Sequence, residues 1–314
     1  MNAAIVQSFE SPPSYGTFAD PVPGPDEVLV SVRAAALSPL VKSQTAGKHY
    51  SSEAVFPFVP GVDGVGTLPD GARVYFAFPK RPYGAMAERV AVRTTFTVPV
   101  PDGLDDAVAA AIANPGMSSW AALTARAKFV PGETVLVNGA TGAAGRLAVQ
   151  IAKHLGAKKV IATGRNQARL DALPALGADV VISLEQPEAE LARRFRQELG
   201  EGVNVVLDYL WGRSAEQILA AVPGGEARLR FVQIGSISGH AISLPGAVLR
   251  SSGLELLGSG LGSCSYEDLV AAIGEVLKAV APAKLRIEME TLPLTEVEAG
   301  WSRDTGDRRL VFTL

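Results

Sequence analysis

The chain has 314 residues, enough for two domains with separate cores. Apolar residues make up 47% of it, charged residues 19%, and the formal net charge is −3, which excludes an intrinsically disordered chain and shows none of the basic excess of a nucleic-acid binder. The single cysteine, Cys264, excludes an intrachain disulfide, and His49, His154 and His240 are too scattered for a zinc site.

The first ten residues lack the basic and long apolar regions of a signal peptide, and no run of about 18 apolar residues suggests a membrane span. The expected location is the cytoplasm. Residues 1 to 100 read as mostly β: short runs at Glu27–Val32, Arg73–Phe78 and Arg89–Val92 alternate with Pro- and Gly-rich breaks, as in a small barrel or sandwich. Leu104–Ala113 is Ala-rich and predicted helical, and Met117–Lys128 is predicted as a second helix, with Asn114-Pro115 as a turn between them.

From Glu133 onward strand and helix alternate. Predicted strands are Thr134–Asn138, Lys159–Thr163, Val180–Leu184, Val203–Leu207 and Leu229–Ile234. Predicted helices between them are Arg146–Leu155, Gln167–Leu176, Glu188–Leu199 and Ser214–Val222. Such alternation implies a parallel sheet with right-handed crossovers. Arg193, Arg194 and Arg196 lie among acidic residues and read as a solvated helix face. A Gly/Ser segment (Gly258–Ser263), a helix (Tyr266–Val280) and final strands ending at Leu310–Leu314 follow, and this tail is expected to return to the first domain.

The sharpest local signal is Thr134-Val-Leu-Val-Asn-Gly-Ala-Thr-Gly-Ala-Ala-Gly145. It resembles the G-x-G-x-x-G dinucleotide fingerprint, with Ala140 in the first glycine position, then Gly142 and Gly145. An apolar strand precedes it, and a helix with Leu147, Ile151 and Leu155 on one stripe follows. In that setting Ala140, Thr141, Gly142, Ala143, Ala144 and Gly145 would bring backbone N–H groups and a helix N-terminus to a pyrophosphate. The alternative is a structural β–turn–α in another α/β fold. About twenty residues on, where an NAD site carries an acid for the ribose 2′-hydroxyl, the chain reads Ala162-Thr-Gly-Arg-Asn-Gln167. Gly164 leaves space, Arg165 offers a charged fork for a 2′-phosphate, Asn166 adjoins it and Arg169 is a second candidate contact, so NADPH is the expected cofactor.

The order of parts, with Ala34-Ala-Ala-Leu-Ser-Pro39, Val59-Pro-Gly-Val-Asp-Gly-Val-Gly66, Tyr83-Gly-Ala-Met-Ala-Glu-Arg-Val-Ala-Val92, Met117-Ser-Ser-Trp-Ala-Ala-Leu123 and Gly177-Ala-Asp-Val-Val-Ile182, resembles the zinc-independent, zeta-crystallin-like quinone oxidoreductase branch of the medium-chain dehydrogenase/reductase superfamily. The resemblance implies an α/β fold: a central doubly wound parallel-sheet Rossmann domain over 116–255, plus a β-rich GroES-like barrel domain formed by 1–115 and 256–314. It implies a homodimer joined along the edges of the Rossmann sheets, with Leu229–Leu244 as the expected edge. Ser38 and Val62 stand where zinc enzymes of the superfamily carry Cys and His, so no catalytic metal is expected. Ser38-Pro39 and Val41 also depart from the branch's usual Asn-Pro and Asp. Without a Lewis acid, acceptors that are already electron-poor are the expected substrates, either quinones or α,β-unsaturated carbonyls.

By matching family positions, Ser38, Asn114 and Ser118 would lie near the nicotinamide. Ser118 also reads as a helix N-cap. Tyr209, Gly235, Ser236 and Gly260 would flank the ribose and nicotinamide beyond the strand ends, although Tyr209 also reads as an aromatic wedged at the sheet edge. Tyr50 is the candidate proton donor, Lys42 a weaker one, and Cys264 reads as packing. Two other functions stay open: an enoyl reductase of a biosynthetic pathway, and a non-catalytic NADPH-binding or redox-sensing protein.

Overall fold

The computed structural model describes residues 1–49, 52–306 and 308–314. The chain divides into two units, one of Met1–Asn114, Ile273–Lys278 and Arg286–Leu314, the other of Pro115–Ala272 and Ala279–Leu285.

The first unit is β-rich. Its elements are β1 (Asn2–Ile5), β2 (Ser14–Thr17), β3 (Glu27–Ala36), the short helix α1 (Pro39–Thr45), β4 (Asp63–Thr67), β5 (Arg73–Ala77), β6 (Arg89–Arg93) and β7 (Thr97–Pro99). β1 and β2 form an antiparallel pair. The long β3 is the organising strand, pairing antiparallel with both β4 and β6. Its alternation explains this: Val30 and Val32 are buried while Ser31 faces outward. They join Phe76, Met86, Val90 and Phe312 in one apolar core.

A helix expected to stop before Pro115 runs through it. α2 spans Asp106–Ala121 and continues as a π-helical turn to Arg126. The Asp105 carboxylate caps its start, accepting the N–H groups of Ala107 (2.9 Å) and Val108 (3.0 Å). Ala109–Ala113 and Trp120–Leu123 are buried on either side of the proline. Proline normally breaks such a helix by removing an N–H, and here the burial of both flanks outweighs that penalty.

The second unit is a doubly wound α/β layer of β8 (Thr134–Asn138), α3 (Ala143–His154), β9 (Lys159–Gly164), α4 (Gln167–Ala172), β10 (Val180–Ser183), α5 (Glu188–Gly200), β11 (Val205–Asp208), α6 (Gly212–Ala220), β12 (Gly225–Gln233), α7 (Gly246–Ser251) and β13 (Ser252–Gly258). The strands lie in the order β10-β9-β8-β11-β12-β13, and every neighbouring pair is parallel. This is the Rossmann order. The helix expected over Gln167–Leu176 ends at Ala172 because Pro174 cannot continue it, and a 3-10 turn takes over. β13 was not expected, and it carries the sheet past residue 255. The edge strand on this side of the sheet is therefore β13, and Leu229–Leu244 holds the second half of the internal β12. α8 (Tyr266–Ala279), β14 (Met289–Pro293), α9 (Val297–Trp301) and β15 (Arg309–Thr313) complete the chain. β15 pairs parallel with β14 and antiparallel with β3, so the end of the chain returns to the first sheet.

One charged side chain secures the base of the second sheet. Arg230, 2% exposed, donates to the carbonyls of Ala127 (2.8 Å) and Asn204 (3.1 Å) and to Glu133 Oε1 (2.6 Å). Removing one partner of such a set strands the others. Arg230→Met is expected to lower unfolding stability by about 3 kcal/mol in urea denaturation, and a loss below about 1 kcal/mol would refute this role.

Candidate functional site

The strand order reverses between β8 and β11, so the crossovers leave on opposite faces and a crevice opens beyond the carboxyl ends of these strands. β8 ends at Asn138, and the chain turns at Gly139, whose φ of 93° is a left-handed conformation that suits glycine. Thus Gly139, not Ala140, makes the tight turn that the fingerprint assigns to its first glycine. Ala140 is buried, and its N–H bonds the Thr163 carbonyl at 2.7 Å. The Asn138-Gly139 pair was the available signal, a common turn dipeptide.

α3 begins at Ala143 with Gly142 as N-cap, and no side chain caps its first turn. A Cβ at Gly142 would meet nothing within 4 Å, so this side of the turn is open. At Gly145 a Cβ would stand 2.2 Å from the Gly139 carbonyl oxygen, so only glycine lets α3 pack this closely on the turn. An open turn, an uncapped helix start and close helix–strand packing fit a dinucleotide pyrophosphate.

At the end of β9 the structure revises one reason given above. A Cβ on Gly164 would lie 2.3 Å from Thr141 Cγ2, so the room this glycine leaves is filled by Thr141 and not held for a phosphate. Arg165 is exposed. Asn166 caps α4, its Oδ1 accepting the Arg169 N–H at 3.1 Å. The first-turn groups beyond β9 are therefore one exposed guanidinium and one capping amide, with no acid among residues 162–167.

At the end of β11, Asp208 is fully buried. Its carboxylate accepts Asn138 Nδ2–H (2.8 Å), Leu210 N–H (3.1 Å) and Trp211 N–H (3.1 Å). Burial pushes its carboxyl above the usual range, and these three donors pull it part of the way back. Tyr209 is buried with its hydroxyl 3.3 Å from Ser118 Oγ, and burial raises its phenol to about 12. Ser118 is not a helix N-cap. It lies inside α2 and donates to the Pro115 carbonyl at 2.7 Å, leaving its oxygen to accept from Tyr209. Gly235 packs on Tyr209, where a Cβ would stand 2.7 Å from the Tyr209 carbonyl oxygen. Ser236 is exposed, and Gly260 begins an exposed turn closed by Ser263 Oγ at 2.8 Å.

In the first unit, Ser38 is the N-cap of α1, its Oγ accepting the Val41 N–H at 3.1 Å while its O–H has no acceptor among the described residues. Asn114 is helical, correcting the turn assignment, and donates its amide to Asp63 Oδ2. Asp63 is buried beside Tyr75 and Arg309. Burial raises its carboxyl, opposed by the Arg309 charge, the Asn114 amide and the Tyr75 hydroxyl. Lys42 is exposed, and Tyr50 lies outside the described residues. Among the described residues, no group of three or more His, Cys, Asp or Glu could hold a metal ion, and no helix is long and apolar enough to cross a membrane.

The zinc-binding dehydrogenase family matches residues 143–278. The probable NADPH-dependent quinone reductase of Emericella nidulans is 31% identical over 99% of this chain and 99% of its own length. The chain belongs to the quinone oxidoreductase branch of the medium-chain dehydrogenase/reductase superfamily. The 2-methylene-furan-3-one reductase of Solanum lycopersicum is 30% identical over 82% of this chain, and the match spans 61% of that protein. Among solved structures, the quinone oxidoreductase of Thermus thermophilus, also solved in complex with NADPH, is 28% identical, covers 100% of both chains and superposes with a TM-score of 0.83.

Asn138 and Thr163 carry no site role in the sequence reading, and Asp208 enters it only as the neighbour of Tyr209 beyond the strand end. Their signal was a polar residue ending each of three apolar strands, where the ladder stops. For Tyr209 the buried neutral phenol has a titration consequence. Its folded pKa exceeds the unfolded value of about 10, so it contributes stability below that pH that is lost as pH rises toward about 12. An ultraviolet titration of the native protein should show a late phenol transition near about 12 that Tyr209→Phe removes, whereas ionisation of Tyr209 together with exposed phenols would show that it is not buried.

Proposed function

We propose that this chain is a zinc-independent oxidoreductase that uses NADPH to reduce quinones or α,β-unsaturated carbonyl compounds. The observation that carries the reading is the open, uncapped start of α3 at the strand-order reversal, in a chain kin over its whole length to an NADPH-dependent quinone reductase. When bound, NADPH supplies the hydride.

The chain's own groups orient and hold. The first-turn N–H groups of Ala143, Ala144 and Gly145, with Thr141 and Gly142, take the pyrophosphate, whereas the buried Ala140 has its N–H committed to the Thr163 carbonyl and only shapes the turn. Arg165 holds the 2′-phosphate, with Asn166 fixing the start of α4 beside it. Tyr209, Gly235, Ser236 and Gly260 line the nicotinamide half, and the Tyr209 hydroxyl sets the Ser118 rotamer. Ser38, with an uncommitted O–H, and Asn114, with its carbonyl oxygen left after its bond to Asp63, are the hydrogen-bonding groups for carboxamide or acceptor oxygen, and Tyr50 is the candidate acid. Water can also supply the proton to a hydroquinone or enolate.

We assign the chain to the cytoplasm as a homodimer joined along β13, the strand at one end of the sheet, where Leu256 is 41% exposed, with Leu249 of the preceding α7 45% exposed. Leu256→Lys is then expected to shift the protein to monomer in sedimentation, and a monomeric parent would refute that assembly.

The deciding test follows loss of reduced-nicotinamide absorbance with NADPH or NADH, using benzoquinone, a simple enone and a crotonyl thioester, with and without chelator. Chelator-insensitive oxidation of NADPH in preference to NADH is expected. Turnover of the thioester alone would favour a biosynthetic enoyl reductase, and NADPH binding without turnover would favour a sensor. Arg165→Ala is expected to raise the KM for NADPH about 10- to 100-fold while leaving that for NADH nearly unchanged, the loss of a charge-assisted phosphate contact. Equal effects on both would remove Arg165 from that role.

A further inference from the structure

The carboxyl edge of the parallel sheet holds a set of polar side chains that the chemistry above does not use. Asn138 ends β8, Thr163 lies near the end of β9, Asp208 ends β11 and Ser214 lies in the first turn of α6. The first three are fully buried. Thr163 Oγ1 donates to Asn138 Oδ1 at 2.7 Å, and Asn138 Nδ2 donates to Asp208 Oδ1 at 2.8 Å and to Ser214 Oγ at 2.9 Å.

The direction of these bonds is fixed by elimination. The Asp208 carboxylate only accepts, so Asn138 turns its nitrogen toward it, and the one proton of Thr163, whose Oγ1 accepts the Gly139 N–H at 3.1 Å, goes to the Asn138 oxygen. That sets the Asn138 amide with oxygen toward β9 and nitrogen toward β11. Both its N–H groups and its oxygen are then used, and nothing is left over for a ligand. The set is a scaffold, and the segments it fixes are those proposed to meet the cofactor.

On one side it holds the Gly-rich turn. Glycine-rich backbone has few side chains to pack, so its register depends on hydrogen bonds. Thr163 supplies two, from its hydroxyl to Gly139 and from its carbonyl to Ala140. On the other side it holds residues 209–212. Trp211 sits at φ 58° and ψ −163°, a region nearly exclusive to glycine, so this loop does not keep its shape by its own preference. Asp208 imposes it by accepting the N–H groups of Leu210 and Trp211, and Asn138 orients Asp208.

We propose that Thr163 and Asn138 are positioning residues for NADPH: one hydrogen-bonded chain fixes the pyrophosphate turn and the loop after β11 in a single register, so that both halves of the dinucleotide meet a preorganised edge. This rests on the cofactor reading above. Thr141, packed into the space at Gly164, extends the same constraint to the start of the Arg165 segment.

The test compares Thr163→Val, which keeps the shape and loses the hydroxyl, with Thr163→Ser, which keeps the hydroxyl. NADPH dissociation constants are measured by calorimetry without acceptor, alongside Tm. Thr163→Val is expected to weaken NADPH about 10-fold or more, from the loss of two buried hydrogen bonds, with Thr163→Ser within about threefold of the parent. The adenosine 2′,5′-bisphosphate fragment, which lacks the nicotinamide half, should lose affinity less than whole NADPH. Parent-like NADPH binding by Thr163→Val, or an equal loss in Thr163→Ser, would overturn the proposal. Should Thr163→Val fail to fold, Ser214→Ala decides it: weakening by about threefold or more supports the chain of bonds, and unchanged affinity overturns it. Failure of the parent protein to bind NADPH would instead overturn the cofactor reading, and this proposal with it.

Discussion

Where β8 lies between β9 and β11, the parallel ladder ends at three strands together and their backbones diverge to opposite faces of the sheet. Backbone groups leaving a ladder inside a protein need new partners. The molecule meets this demand with side chains at or next to the ends of the strands themselves. Thr163 and Asp208 accept the N–H groups of Gly139, Leu210 and Trp211, Asn138 links the two side chains, and together they dictate where the following loops go. Burial makes this arrangement all-or-none, because an unpaired amide or carboxylate there would be costly.

The same physics explains what could be read from sequence. The strands of the second unit were legible because parallel strands covered on both faces become apolar runs, as in Thr134–Asn138 and Lys159–Gly164. β13 was not, because Ser252-Gly253 at its start resembles a loop and only one of its sides has a partner strand. α2 was misread because Pro115 is a strong local breaker, and its tolerance depends on burial that no local window contains. In the site, the fingerprint gave the open turn and the close helix correctly in kind, but assigned the tight turn to Ala140 instead of Gly139, and gave Gly164 to a phosphate when Thr141 fills it. Both errors have one source: glycine spacing records where a side chain is excluded, and not what excludes it.

The first unit solves a related problem differently. Asp63, Tyr75 and Arg309 are buried polar groups from separate strands, and Asn114 reaches Asp63 from a helix. Burial raises the carboxyl of Asp63 and lowers the guanidinium of Arg309, each shift opposing the charged form, while the attraction between them opposes both shifts. Such a pair is weak support for stability, since apolar replacements can do as well. What it does supply is orientation: with its N–H committed to Asp63, the Asn114 amide has a fixed sense, and its oxygen is the group left to accept.

On the proposed reading, affinity and selectivity for a dinucleotide fall to different kinds of group in the second unit. Thr163 is buried, spends its one proton inside the protein and acts through the turn it holds. Arg165 follows two residues later, is exposed, and in the proposed role would act through its charge. A surface charge is screened by salt and can be replaced without disturbing the core. A buried hydroxyl that satisfies an amide and a backbone N–H cannot be exchanged without a compensating change at Asn138. The boundary between them is Gly164, whose absent side chain lets Thr141 lie against the strand end and ties the two regimes together. Selectivity can thus be altered at the surface of the loop after β9 while the turn beneath it stays constant, because the hydrogen bonds that shape the turn end at Thr163.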